Sequence, residues 1–285
     1  VGKVQKLGAW HPKASLVKAQ AVAGNVSLVL FYQYVEPLWS EKRQQEAIDY
    51  VNTLGSKLNL GGRVRVAREG FNATLSGEHD PIREFARALG DFDPHFKTTD
   101  FKYIDGLSAD KHFKDLKVIP VQELVFYGIK PEDAVGLGPG GQHLEPRDYH
   151  AKMQESDAVI VDVRNHYEAA IGRFEKQMRV GGATLIDPKM RKSTDFTAWL
   201  AQEETKKQLE GKQVLMYCTG GVRCERASAL IKNQLGEAVK GVFQLQGGIE
   251  KYMQEFPDGG FWAGKNKVFD KREACGIEDI NGVGG

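Results

Sequence analysis

The chain has 285 residues, 41% of them hydrophobic and 27% charged, with a formal net charge of +1, a balance typical of globular proteins. No apolar run approaches the roughly 18 residues of a membrane helix, and a near-neutral chain offers no overall electrostatic reason to bind a polyanion. Three cysteines make a poor disulfide framework. The opening VGKVQKLGAW lacks the pattern of a secretory signal, so a reducing cytoplasm is the expected setting.

Residues 26–35, VSLVLFYQYV, are rich in β-branched and aromatic types and predict a mostly buried strand. Ser40 is a helix cap for a segment in which Ala47, Ile48, Val51, Leu54 and Leu58 recur at helical spacing, with Gly61 and Gly62 as its stop. In GRVRVAREGFNATLSG, Val64 and Val66 alternate with arginines as in a strand with one polar face. Asp80-Pro81 then reads as the cap and first turn of a helix carrying Ile82, Phe85, Ala86 and Leu89, stopped near Gly90. Apolar segments at 99–104 and 117–127 follow. This order predicts a ferredoxin-like, acylphosphatase-like α+β domain over residues 1–129.

Residues 130–150 hold four glycines and three prolines, which predicts a linker without packed elements. Beyond it strands at 158–163, 213–217 and 241–245 alternate with helical segments around 167–172, 194–209, 224–235 and 249–255, as in a parallel sheet covered on both faces. The second domain is bounded at 151–260, with a C-terminal extension at 261–285.

The stretch VLMYCTGGVRCERASA at 214–229 carries the chemistry. Cys218 stands where a strand ends, the place at which open parallel sheets bind ligands. Thr219, Gly220, Gly221 and Val222 can turn successive N–H groups inward as a nest. The next helix directs its positive end at the same point, with Arg223 and Arg226 in its first turn. Each effect favours a thiolate, so Cys218 reads as a nucleophile or persulfide carrier, against the competing reading of an inert packed thiol. Cys224 falls at the helix start, where packing and a resolving role are both open. A phosphatase loop places its arginine six residues after the cysteine; here Arg223 follows at five, which is one residue too short for phosphate.

Asp162 and Arg164, at a strand end, are candidates for the active-site rim or for a structural ion pair. Glu168 reads as structural. The seven histidines show no metal-ligand spacing, so no metal site is expected. Arg63, Arg65 and Arg68, followed by Phe71 and Asn72, offer cations and stacking surface for RNA or form a plain solvated face.

Three further segments complete the pattern: VIVDVRNHYEAAIGRF at 159–174, VFQLQGGIEKY at 242–252 and FWAGKNKVFDKR at 261–272. Together with CTGGVRC and EGFNATLSG at 69–77, they make the chain resemble the bacterial tRNA wobble-uridine hydroxylase family, which joins a small α/β domain to a rhodanese-like domain. The resemblance implies oxygen-dependent conversion of the wobble uridine to 5-hydroxyuridine, with Cys218 required. It also implies the tRNA anticodon loop as partner and molecular oxygen as co-substrate, with no other cofactor evident. A rhodanese-type sulfurtransferase and a non-catalytic binding module are the alternative classes.

Overall fold

A computed structural model of the chain describes residues 24–129, 136–138, 140–175, 182–267 and 274–275. In the first unit β1 (Val26–Tyr34) leads to α1 (Glu41–Lys57), whose cap Ser40 accepts a hydrogen bond from the Arg43 amide at 3.1 Å. β2 (Gly61–Ala67) and β3 (Gly70–Glu78) form an antiparallel hairpin, α2 (His79–Phe92) follows, and β4 (Lys102–Leu107) and β5 (Leu116–Pro120) complete a sheet of order β4-β1-β3-β2-β5.

One face of that sheet carries Val29, Phe31, Val64, Val66, Ala73 and Leu75, packed on Ala47 and Val51 of α1 and Ile82, Phe85 and Leu89 of α2. Burying each large apolar side chain there contributes about 1.5–3 kcal/mol. The alternate residues Leu30, Tyr32, Arg63, Arg65, Asn72 and Thr74 occupy the other face.

Several boundaries differ from those expected. Gly61 and Gly62 open β2 instead of merely stopping α1, because β2 pairs with β3 and β5 from Gly61 and Gly62 onward. GFNATLSGE is a strand in its own right; its Phe71, Ala73 and Leu75 point inward at the period of two that defines one. α2 begins at His79 after Glu78, with no side-chain cap, and runs through Gly90 to Phe92.

The second unit is built from β6 (Gln142–Leu144), α3 (Pro146–Lys152), β7 (Ala158–Asp162), α4 (His166–Ile171), β8 (Gly172–Phe174) and β9 (Thr184–Ile186). α5 (Asp195–Leu200), α6 (Glu203–Leu209), β10 (Gln213–Tyr217), α7 (Val222–Leu235), β11 (Gly241–Leu245), α8 (Gly248–Glu255) and β12 (Trp262–Gly264) follow. Its main sheet, order β6-β11-β10-β7-β9, is parallel throughout. β7 is buried along its whole length, as expected of a strand covered on both faces.

Within the expected linker, β6 is hydrogen-bonded to β11 and α3 packs beside it, so residues 142–152 belong to the second unit; residues 130–135 and 139 lie outside the described residues. The expected extension also begins inside a core: β12 pairs with β8, and Trp262 is fully buried against Phe174 and Tyr217. Residues 268–273 and 276–285 of that extension lie outside the described residues. The helical segment 194–209 is two helices, and α7 starts at Val222, two residues before Cys224. Among the described residues no helix is long and apolar enough to cross a membrane.

Candidate active site

β10 ends at Tyr217 and Cys218 opens the loop to α7, whose N-cap is Gly221. Gly221 has φ +104°, a conformation open to glycine and strained for other residues, and a Cβ added there would lie 2.8 Å from the Tyr32 hydroxyl oxygen. This turn lets the Gly221 N–H donate to Cys218 Sγ at 3.1 Å. The loop backbone is held from the other side by α8: the Ile249 N–H donates to the Cys218 carbonyl at 3.1 Å. A Cβ on Gly248 would fall 2.2 Å from the Thr219 carbonyl oxygen, so the approach requires glycine.

Cys218 is completely buried. Burial, the largest influence, pushes its thiol up; a hydrogen bond from the Cys224 thiol, the Arg223 charge and the amides of Arg223 and Gly221 together bring it down to about 5. Cys224 is driven the other way, by its own burial and by its hydrogen bond with Cys218. The two thiols therefore divide their roles: Cys218 carries the negative charge and Cys224 keeps its proton and donates.

Arg223 is anchored by hydrogen bonds to Glu168 and Thr219. Its guanidinium pairs with both Glu168 oxygens, at 2.7 and 3.0 Å, and donates to Thr219 Oγ1 at 3.2 Å. Burial raises the Glu168 carboxyl, and Arg223 more than reverses this, holding it below the ordinary value. Glu168 also accepts from the Asn165 amide at the start of α4, so one carboxylate fixes both the arginine and the α4 terminus. That link between β7–α4 and the loop was not visible in the sequence spacing.

Asp162 and Arg164 do not form a rim. Both are fully buried, joined at 2.6 Å, with Tyr217 donating to the same Asp162 oxygen at 2.6 Å and Arg164 donating to the Gly172 carbonyl at 2.7 Å. Strand β7 ends beneath Trp262 and Tyr217, whose rings lie near the guanidinium, so no face of the pair is left for a ligand.

The first unit lies directly over the loop. Tyr32 donates to Glu225 at 2.9 Å, Tyr127 to the Arg223 carbonyl at 2.8 Å, and Lys102 to the carbonyls of Gly220 and Gly247 at 2.9 and 2.7 Å. Arg226 forms a buried ion pair with Glu69, so it serves the contact between the units and not the thiolate. Between the two units is a small cleft whose lining includes Tyr32, Asn72, Thr74, Lys102, Gly220, Val222 and Glu250. Cys218 sits beneath its floor.

Arg63 and Arg65 are exposed on the face of the first sheet that continues into this cleft. Lys102, Leu30, Thr74, Arg63 and Lys117 are lateral partners across β4, β1, β3, β2 and β5, a single row. Arg68 is out of phase with Arg63 and Arg65; it lies in the β2–β3 turn and donates from Nε to the Trp39 carbonyl at 2.7 Å. Phe71 offers no stacking surface, because it is buried against Trp39 and Phe96. Among the described residues no group of three histidine, cysteine, aspartate or glutamate side chains could hold a metal ion.

Residues 26–124 match the UPF0176 acylphosphatase like domain and residues 145–255 the Rhodanese-like domain. Among curated relatives, Rhodanese-like domain-containing protein 6 of Arabidopsis thaliana is 34% identical over 275 residues, covering 90% of this chain and 45% of that protein. The tRNA uridine(34) hydroxylase of Rhodococcus erythropolis is 37% identical, covering 86% of this chain and 81% of its own. That of Corynebacterium kroppenstedtii is 38% identical, covering 86% and 78%. The chain therefore spans about half of the plant relative and about four-fifths of the bacterial ones.

Proposed function

The chain belongs to the tRNA uridine(34) hydroxylase family, and on that footing we propose that it hydroxylates uridine 34 of tRNA at C5, with Cys218 as nucleophile and dioxygen as the oxygen source. The observation that carries this reading is the Cys218 thiol, held down to about 5 beneath a cleft walled by both units. C6 of uracil is electrophilic, so thiolate addition there moves the C5=C6 electron pair toward C5 and O4 and makes C5 nucleophilic. One oxygen atom then enters at C5; the other leaves as water, with two electrons from an external reductant and two protons.

A cleft between two packed units is the kind of place in which a single base turned out of an anticodon loop is held. Asn72 and Thr74 on its wall supply polar groups for the edge of such a base. Arg63 and Lys117, exposed in the row that leads to Lys102, supply cations for the flanking phosphates. Because Cys218 is covered in this arrangement, the base reaches it as Tyr32 withdraws from Gly221.

Nucleoside analysis of tRNA modified by the wild-type protein and by Cys218→Ala tests the proposal. 5-Hydroxyuridine from the wild type alone supports it, and full hydroxylation by the variant removes Cys218 from the chemistry. Thiosulfate treatment followed by mass spectrometry covers the sulfurtransferase alternative: a persulfide on Cys218 with no change in tRNA would favour it.

A further inference from the structure

Glu250 stands in the first turn of α8 and lines the cleft with its side chain about 19% exposed. No described residue donates a hydrogen bond to its carboxylate. The nearest cation, Lys102 Nζ, is 3.9 Å away and already donates to the carbonyls of Gly220 and Gly247. The charged groups facing Glu250 are Lys102 from β4, Asp100 from the segment before β4, and Cys218 from the loop. Asp100 is exposed at the cleft edge, whereas Glu250 is enclosed on the loop side. A largely buried carboxylate without a donor costs stability. Burial, then the charges of Cys218 and Asp100, outweigh Lys102 and push Glu250 up to about 7, which is where a general base for neutral pH belongs.

We propose that Glu250 is the general base that removes the proton from C5 of the oxygenated uridine adduct and so releases the product. The inference rests on the reading of Cys218 as the nucleophile that adds at C6. After oxygen has entered, C5 bears hydrogen and hydroxyl beside the C4 carbonyl, and C6 is bonded to sulfur. The Glu250 carboxylate takes the C5 proton and the C5–H electron pair becomes the C5=C6 bond. The C6–S bond breaks with its pair on sulfur. Product and Cys218 thiolate result, Glu250 holds the proton, and no further oxidant or reductant is needed. The Gly221 N–H that donates to Sγ stabilises the departing thiolate.

The test incubates wild type, Glu250→Gln and Cys218→Ala with tRNA, dioxygen and reductant, followed by denaturing electrophoresis and mass spectrometry. Glu250→Gln is expected to accumulate a covalent protein–tRNA adduct one oxygen heavier than the sum of its parts. Its product release should be slower by about 10²–10⁴-fold, the usual contribution of a positioned general base. Deuterium at C5 of uridine 34 should slow the wild type. Normal turnover by Glu250→Gln while Cys218→Ala is inactive would overturn the role of Glu250 alone, as would an inactive Glu250→Gln that forms no adduct. Full hydroxylation by Cys218→Ala would instead overturn the nucleophile on which it rests.

Melting curves separate this from misfolding. A carboxyl raised in the folded state binds more protons than the unfolded chain between about pH 4.5 and 7, so its contribution to stability falls as pH rises through that window. Gln does not titrate, and Glu250→Gln should melt no lower than wild type at pH 8.

Discussion

The hydroxyl of Tyr32 in the first unit donates to the carboxylate of Glu225 in the second at 2.9 Å, and this contact closes the first sheet over the Cys218 loop. The same Glu225 carboxylate is met by His143 at 2.9 Å and by Gln244 at 3.1 Å. One side chain of α7 therefore gathers β1, β6 and β11 beside the thiolate. Because a Cβ on Gly221 would run into the Tyr32 hydroxyl, the loop sequence and the first unit are fitted to each other.

Tyr32→Phe should loosen that cover. Loss of one partly buried hydrogen bond is worth about 0.5–1.5 kcal/mol, so the open population should rise roughly two- to tenfold. Alkylation of Cys218 by iodoacetamide at pH 7 should accelerate by the same factor. An unchanged rate would mean that reagents reach the thiol by a path that does not pass Tyr32.

The alkylation rate should also follow the ionisation of Cys218. Its folded-state value of about 5 lies below the roughly 8.5 of a free thiol, so the rate should rise through pH 5 and be flat above pH 6. The same depression stabilises the fold above about pH 8.5, and that contribution is lost as the pH falls toward 5. Cys224→Ala removes the donor thiol and should shift the midpoint upward while leaving a reactive Cys218. A midpoint that does not move would separate Cys224 from the ionisation altogether.

Asp162→Ala tests whether the buried pair on β7 is structural. It would leave Arg164 charged and buried without its counter-charge, a loss of about 3–5 kcal/mol, visible as a lower urea midpoint. Rim residues behave otherwise: their loss raises KM and leaves the midpoint in place.

Local chemistry made much of this readable in the sequence. Ser40 caps α1 as its spacing predicts, and the nest after Cys218 forms because Gly221 can take a positive φ. What stayed hidden depends on tertiary partners. Nothing near Glu168 announces that Arg223, 55 positions away, will pair with it. Lys102 and Glu250 sit in unremarkable contexts, an apolar segment and a short helix, and meet only because the two units close on each other. Arg68 misled for a different reason: it follows Arg65 by three residues and not two, so it breaks strand parity at the turn after Ala67.

That parity sets the last prediction, on RNA binding. Arg63 and Lys117 are adjacent exposed cations in the row that leads to Lys102 and the cleft, so Arg63→Glu and Lys117→Glu should each weaken tRNA binding. Each should also flatten the dependence of log affinity on log salt by about 0.7, the loss of one single-strand phosphate contact. Arg68→Glu should change the slope much less, since the Arg68 guanidinium is already engaged with the Trp39 carbonyl in the turn. Binding titrations at several salt concentrations distinguish the cases. If Arg68→Glu altered the slope as much as Arg63→Glu, the RNA would run along the turn and not across the sheet; if none of the three did, the sheet face would carry no phosphate path.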